Sequence, residues 1–205
     1  MLTCQKDLFE LPEDITYLNC SYMSPQLRSV TAVGMEAVVK KKNPTSVQLE
    51  DFFEPVDAVK AAFATIINSS EPERIAIIPA VSYGMANVAK NVPLKPGEHI
   101  LLVGEQFPSN YYIWKRLADE NDASVQMVEP PSVSNRAASW NAKILEAINE
   151  KTALVAMAHV HWADGTQFDL EAIRQKSREQ GALLVIDGTQ SVGALPFDVQ
   201  KIQPD

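Results

Sequence analysis

The sequence has few cysteines, no long apolar run and no secretion signal. Its two cysteines, Cys4 and Cys20, are too few for a disulfide framework or for a metal site built on cysteine. No run of about 18 apolar residues occurs, so no membrane span is expected. The N-terminus lacks a charged segment followed by an apolar one. We therefore expect a cytoplasmic protein.

Positive charge is also scarce. The chain of 205 residues has 18 basic and 26 acidic side chains, which gives a net charge of −8. Its one basic run, Lys40–Lys42, suits the end of a helix, where cations interact well with the helix dipole. An acidic chain without a basic stripe is a poor binder of nucleic acid or of a membrane surface. Neither partner is expected.

Two glycine-rich phosphate motifs are missing as well. The sequence contains no G-x-x-x-x-G-K-[ST] and no G-x-G-x-x-G. These motifs are typical of P-loop and dinucleotide-binding proteins. Their absence argues against a nucleotide-dependent oxidoreductase. The chain is 46% hydrophobic, so it contains enough apolar residues for a globular core.

Apolar runs alternate with helical patterns along most of the chain. Continuous apolar runs of this kind predict parallel strands that are covered on both faces, and therefore an α/β fold. The runs are RIAIIPA (74–80), HILLVGE (99–105), SVQMVEP (124–130), ALVAMAHV (153–160) and ALLVID (182–187). Helices are predicted from Ser24-Pro25, over Leu49–Asn68 with a restart at Pro55, from near Ser82 and near Pro108, and over Trp140–Asn149 and Asp169–Gln180.

Ligands of open parallel sheets bind beyond the C-terminal ends of the strands, so the residues that follow each run are candidates for a site. Ser82 begins a helix, where its hydroxyl and the free N–H groups form a phosphate cradle, or where Ser82 simply caps the helix. Phe107 follows the second run and either stacks on a flat ring or packs beneath its loop.

Asp187 ends a run that is buried in the predicted sheet. A carboxylate there is costly unless it is paired, and no neighbouring Lys or Arg offers a partner. A cationic heterocycle would attract it by about 5 kcal/mol at contact distance, and Gln190 could then hydrogen-bond an adjacent ring oxygen. The alternative is that Asp187 caps the turn through Gly188 and Thr189.

The His159-Val160-His161 pair could in principle bind a metal. No third ligand has a convincing spacing, so we expect no metal. The simpler interpretation is one core histidine and one histidine at the edge of the sheet.

Together these segments resemble the aminotransferase class V family of pyridoxal-phosphate (PLP) enzymes of fold type I, which includes cysteine desulfurases, selenocysteine lyases, kynureninase and isopenicillin N epimerase-like proteins. The resemblance is to an incomplete PLP-binding large domain, with a mostly parallel sheet and helices on both faces. It rests on the order and spacing of the segments at 17–25, 80–91, 104–118, 159–173 and 185–199.

The resemblance implies roles for individual residues. Val81 and Ser82 would bind the cofactor phosphate, and Phe107 would stack on the pyridine ring. Asp187 would pair with the pyridinium nitrogen. The remaining implied contacts are His161 and Gln190 near the phenolic oxygen, and Ser21 and Tyr22 near the substrate.

The family's Schiff-base lysine would lie some twenty residues beyond Asp187, so the resemblance implies no catalytic lysine in this chain. Lys176 and Lys201 do not have the expected context. We therefore expect residues 1–23 to form an N-terminal active-site segment and residues 24–205 to form part of the large domain. The rest of that domain and a small C-terminal domain would be absent.

Two functions follow from the resemblance. The first is the N-terminal part of an enzyme that acts on an amino acid by transamination, desulfuration or epimerisation, homodimeric when complete and inactive as this chain alone. The alternative is a non-catalytic module of the same fold that acts by binding.

Overall fold

A computed structural model describes residues 3–205, which divide between Ala58 and Val59 into two compact units. Short 3-10 turns precede or separate several of the helices. The helices are α1 (Arg28–Lys40), α2 (Glu54–Ile66), α3 (Val81–Ala89), α4 (Tyr112–Glu120), α5 (Arg136–Ala147), α6 (Leu170–Glu179) and α7 (Val199–Ile202). The strands are β1 (His99–Val103), β2 (Ser124–Val128), β3 (Thr152–Ala158) and β4 (Leu183–Asp187).

Helix α1 of the first unit begins later than the sequence predicted. Leu27 is extended and forms an antiparallel bridge with Phe9, so the chain turns helical only at Arg28. The Ser24 hydroxyl donates to the carbonyl oxygen of Cys20 at 2.8 Å instead of capping a helix. The expected start at Ser24-Pro25 is therefore wrong, because the bridge holds the residues before Arg28 extended.

The second unit contains a sheet of four parallel strands in the order β2-β1-β3-β4. Ile100 of β1 lies opposite Leu154 of β3, and Met157 of β3 lies opposite Ile186 of β4. The predicted α/β class with parallel strands is confirmed.

The first predicted strand, over 74–80, is wrong. A 3-10 turn covers Pro72–Arg74, and the residues after it form no ladder with any strand that the structure describes. Ile77 and Ile78 are 56% and 41% exposed. An apolar run becomes a strand only where a neighbour accepts its backbone hydrogen bonds, and 75–80 has none in the described sheet.

The central strands β1 and β3 are buried on both faces, as continuous apolar strands require. Alternate residues of β1 and β3 point to opposite faces, and each well-buried side chain contributes about 1.5–3 kcal/mol. One core combines Leu101, Val103, Val155 and Met157 with Trp140, Ile144 and Ile173 of the helices. The other combines Ile100, Leu102, Leu154 and Ala156 with Met85 and Trp114.

The remaining helices lie close to their predicted positions. Helix α6 starts at Leu170 because the Asp169 carboxylate caps it by accepting from the Ala172 N–H at 3.1 Å. Before α4, a 3-10 turn at Pro108–Asn110 takes the place of the first predicted turn of helix. In residues 3–205, no helix is long and apolar enough to cross a membrane.

Candidate functional site

Asp187 is the last residue of β4, and its carboxylate caps the turn that follows. Its Oδ1 accepts hydrogen bonds from the Thr189 N–H at 3.0 Å and from the Thr189 hydroxyl at 2.5 Å. Its own carbonyl oxygen accepts from the His159 N–H at 3.1 Å, which fixes the end of β4 against β3. Asp187 thus caps the turn, as the alternative interpretation of the sequence predicted. The two hydrogen bonds hold its half-buried carboxylate in one orientation at the edge of the sheet.

The N-terminus of α3 lacks a side-chain cap. Its N-cap residue is Ala80, which carries no polar group, and the first helical residue is Val81. Ser82 is therefore not the N-cap, so its hydroxyl is not committed to that role. The first amides of a helix have no intrahelical acceptor, and here no side chain replaces one. These free amides could donate hydrogen bonds to an anion.

One cleft joins these two features. Val81 of α3 and Asp187 of β4 both line a cavity of about 580 Å³ along the outer edge of β4, together with Gly84 and Gly188. The structure thus brings the first residue of α3 and Asp187 to the same cleft, whereas the other predicted cofactor contacts do not line it. These are Ser82, Phe107, His161 and Gln190. Val81 and Asp187, which the sequence placed in one site, lie in one cleft.

Phe107 follows β1 and lies at the surface, 50% exposed. Its ring meets the ring of Trp162 edge-on, with 5.6 Å between centroids and 84° between planes. Phe107 is therefore not a core aromatic beneath its loop. Half of its surface is available for a flat ring to stack on.

His161 is fully buried rather than exposed at the edge of the sheet. Its Nε2 lies 3.2 Å from the carbonyl oxygen of Gly104, and since that oxygen only accepts, Nε2–H is the donor. Its ring lies 5.2 Å from the ring of Trp140, and its Nδ1 lies 3.3 Å from a carboxylate oxygen of Asp164. These contacts favour a structural role. A direct contact between His161 and a cofactor stays a prediction.

His159 is also buried, and its ring meets Phe197 edge-on, with 5.6 Å between centroids, in the same core that contains Trp140. Burial lowers the pKa of His159 and favours its neutral form. Among the described residues, no group of three or more His, Cys, Asp and Glu side chains could hold a metal. The expected division into one core histidine and one histidine at the edge is wrong for His161, because both rings are buried.

The sequence did not predict the ion pair of two charged residues near this edge. Arg136 Nε lies 2.7 Å from Asp164 Oδ2, and the guanidinium carbon lies 5.2 Å above the ring of Trp140. Burial raises the pKa of Asp164, but hydrogen bonds from Thr166 and the charges of His161 and Arg136 outweigh it and hold the pKa below its usual value. The spacing of Asp164 after His161 was visible, but Arg136 arrives only through the packing of α5.

The other predicted site residues lie in two places. Gln190 is half-buried in the turn after β4, three residues beyond Asp187. Ser21 and Tyr22 lie in a turn of the first unit, where Tyr22 is 79% exposed. Their contacts with a cofactor or substrate stay predictions.

The family model of class-V aminotransferases matches residues 35–205. The chain belongs to this family. Among its curated relatives is an uncharacterized aminotransferase, YcbU, of Bacillus subtilis, which is 28% identical over 152 residues and is matched over 74% of this chain and 39% of its own length. A kynureninase of Pseudomonas fluorescens is 31% identical over 48% of this chain and 22% of its own length.

Two solved structures share the fold. A mutant of C-DES with glycine covalently linked to its PLP cofactor superposes with a TM-score of 0.84 at 21% identity, over 99% of this chain and 54% of that one. The apo cysteine desulfurase of Thermococcus onnurineus gives a TM-score of 0.83 at 21% identity, over 100% and 52%. The expected fold type I class is confirmed. The chain spans about half the length of these structures and less than half of the two curated relatives.

Proposed function

We propose that this chain provides the cofactor-holding part of a PLP-dependent enzyme that acts on an amino acid. The observation that carries the proposal is the cleft that Val81 and Asp187 line together. A helix N-terminus suits a phosphate, and a carboxylate suits a protonated ring nitrogen. PLP carries both groups, and when bound it supplies an electron sink for the substrate's developing negative charge.

The phosphate end of the site would be the first turn of α3. The amides of Val81 and Ser82 lack a side-chain cap, and the Ser82 hydroxyl lies in the same turn. These groups would donate to phosphate oxygens, with the helix dipole adding to the attraction. The residues present therefore fit this end of the cofactor.

The ring end would involve Asp187 and Phe107. The carboxylate of Asp187 is already oriented by its two bonds from Thr189, so it would meet the ring nitrogen without further ordering. An ionised Asp187 would keep that nitrogen protonated. Phe107 would stack on the ring face, and Gln190 would donate to the ring oxygen beside the reacting group.

This chain alone, in the same proposal, does not convert an amino acid to product. No lysine occurs in the segments after the strands or at the start of α3, which are 80–84, 104–110, 159–165 and 187–190. Lys201 is paired instead with Glu171, with 2.5 Å between Nζ and Oε1. The hydrogen bond and charge of Glu171 raise the pKa of Lys201, which favours its protonated form.

The wider activity is part of the same proposal. The family and its matched relatives support an aminotransferase or lyase acting on an amino acid. That the complete enzyme is a homodimer belongs to the proposal. The alternative is a binding module that holds PLP without catalysis. Both share the same cleft and differ in the chemistry that follows binding.

The first test is to titrate the chain with PLP and to follow binding by equilibrium dialysis. The second is to reduce the mixture with borohydride and map adducts by mass spectrometry. We expect reversible binding that the change Asp187→Ala abolishes, without a stoichiometric adduct on any single lysine. Failure to bind PLP at all would refute the proposed site. A stoichiometric adduct on one lysine would refute the claim that the chain lacks the reactive group.

A further inference from the structure

The loop that follows β3 is fastened to the loop that follows β1 by two adjacent side chains. His161 donates from Nε2 to the carbonyl oxygen of Gly104 at 3.2 Å. Trp162 donates from its indole N–H to the carbonyl oxygen of Glu105 at 2.7 Å. The two acceptors are consecutive in the chain, so this two-point clamp holds the peptide units on both sides of the Glu105 Cα.

Glu105 is a residue that needs such a clamp. Its φ is 53°, in the left-handed region that non-glycine residues rarely adopt. Gly104 before it has no room for a side chain, because a Cβ there would collide with the Glu129 carboxylate and with Pro130. A strained residue keeps its conformation only where its surroundings hold it, and here the surroundings include the clamp.

The clamp also reaches Phe107 directly. Trp162 holds the backbone two residues before Phe107 and meets the Phe107 ring edge-on at 5.6 Å. Trp162 is 48% exposed and Phe107 is 50% exposed, so the pair stands at the surface and is not fixed by a core. The direction of the Phe107 ring therefore depends largely on Trp162.

Two partly exposed charged residues connect the buried His161 ring to α5. Asp164 lies 3.3 Å from His161 Nδ1, and Arg136 holds the other oxygen of Asp164 at 2.7 Å. This network joins α5 to the loop after β3. It keeps the backbone of Trp162 in place while the indole remains partly exposed.

We propose that Trp162 is a positioning residue that holds Glu105 in its left-handed conformation and orients Phe107 to receive the flat ring of the cofactor. The second half of this inference rests on the proposed function. The first half concerns the protein without cofactor and can be tested alone.

The test uses three variants of the whole chain. Trp162→Leu removes the indole donor and the ring, while Trp162→Phe keeps a ring and removes only the donor. Tyr112→Leu is the matched control, because Tyr112 is 68% exposed and forms an edge-on pair with Tyr111 at 5.2 Å, outside the clamp. Thermal unfolding of each variant shows whether it is folded.

Hydrogen–deuterium exchange without PLP tests the clamp. The Gly104 amide donates to Val128 and the Asn110 amide donates to Phe107, so both report on this loop. We expect exchange at these amides to rise about three-fold or more in Trp162→Leu, less in Trp162→Phe, and not at all in Tyr112→Leu. Unchanged exchange in folded Trp162→Leu would overturn the inference, whatever PLP does.

Titration with PLP then tests the orientation of Phe107. We expect Trp162→Leu to weaken binding by about five-fold or more and Tyr112→Leu to leave it unchanged. Equal affinity of Trp162→Leu and the wild type would overturn the link to the cofactor while leaving the proposed function intact. If the wild type itself does not bind PLP, the proposed function and the cofactor half of the inference both fail, and the exchange result still decides the clamp.

Discussion

The carboxylate of Asp187 and both donors of Thr189 form a closed turn at the end of β4, with hydrogen bonds of 3.0 Å and 2.5 Å to a single oxygen. A side chain that caps its own turn is held in place before any ligand arrives. Such pre-ordering lowers the entropic cost of binding, because the carboxylate gives up little freedom when a partner binds. Capping and cofactor binding are therefore compatible roles for Asp187.

The change Asp187→Asn is expected to weaken PLP binding strongly. It keeps the size of the side chain and removes the charge that would pair with the ring nitrogen. A hydrogen bond to a charged group contributes about 1.5–3 kcal/mol, so the Kd should rise by about ten-fold or more. Equilibrium dialysis measures the change.

Thr189→Val is the matched control for that experiment. It removes the hydroxyl donor but keeps the Thr189 backbone N–H and the charge of Asp187. We expect its effect on PLP affinity to be about three-fold or smaller. If Thr189→Val weakens binding as much as Asp187→Asn, orientation of the carboxylate matters more than its charge.

Ser82→Asp is expected to weaken binding of the PLP phosphate. The new carboxylate would stand in the first turn of α3, where it would satisfy the free amides itself and repel a phosphate group. The Kd of PLP should rise by about ten-fold or more, whereas that of pyridoxal, which has no phosphate, should change little. A parallel titration with both compounds, followed by absorbance, measures the difference.

Ser82→Ala separates the hydroxyl from the backbone in this site. Because the amides of α3 remain, we expect only about a three-fold loss of PLP affinity.

The outcome that would contradict this part of the site concerns Ser82→Asp. If that variant loses the same affinity for PLP as for pyridoxal, the phosphate does not bind at α3.

Four of the five predicted strands and the position of Asp187 followed from the sequence, because continuous apolar runs and their polar ends are local features. The strand predicted over 74–80 was wrong, because an apolar run does not show whether a neighbouring strand exists to pair with it. Ile77 and Ile78 have the right chemistry for a strand and still lie exposed.

The site was predictable to the extent that it depends on strand ends. Asp187 ends β4 and Phe107 lies four residues after the end of β1, so their place at the same edge of the sheet could be predicted. Arg136 could not be predicted to approach Asp164, because that ion pair depends on how α5 packs against the sheet. The burial of His161 was not predicted either, because it depends on how the loop after β3 packs the His161 ring against Trp140.

Trp140→Phe is expected to destabilise the fold markedly. The Trp140 ring is fully buried, and its N–H donates to the carbonyl oxygen of Val128 at 2.8 Å. The smaller ring would create a cavity and remove one of the two donors to that carbonyl, which also accepts from the Gly104 N–H, at a cost of about 2–3 kcal/mol in unfolding free energy. Urea denaturation followed by circular dichroism gives this value.

Trp162→Phe is the comparison for that measurement. Its indole also donates to a backbone carbonyl, but it is 48% exposed, so water can replace the lost bond. We expect it to cost about 1 kcal/mol or less. Equal losses in the two variants would contradict the burial of Trp140.

Asp205 is expected to stabilise the fold at neutral pH and to lose that effect in acid. Both of its carboxylate oxygens accept from the Arg174 guanidinium, and one also accepts from the Leu184 N–H at 2.9 Å. Burial raises the pKa of Asp205, but these hydrogen bonds and the charges of Arg174 and Arg178 outweigh it, so the pKa lies below its usual value. The folded state therefore favours the ionised carboxylate.

The direction of the pH dependence follows from that lowered pKa. The stabilisation is fully present above the unfolded value of about 3.9 and is lost as the pH falls through the lower folded value. Asp205→Asn should thus have a lower Tm than the wild type at neutral pH, and the gap should shrink as the pH falls below about 4. Asp119→Asn is the control, since its exposed pair with Lys115 should show a smaller gap at every pH. A gap for Asp205→Asn that stays constant from neutral to acid pH would show that its charge does not contribute to stability.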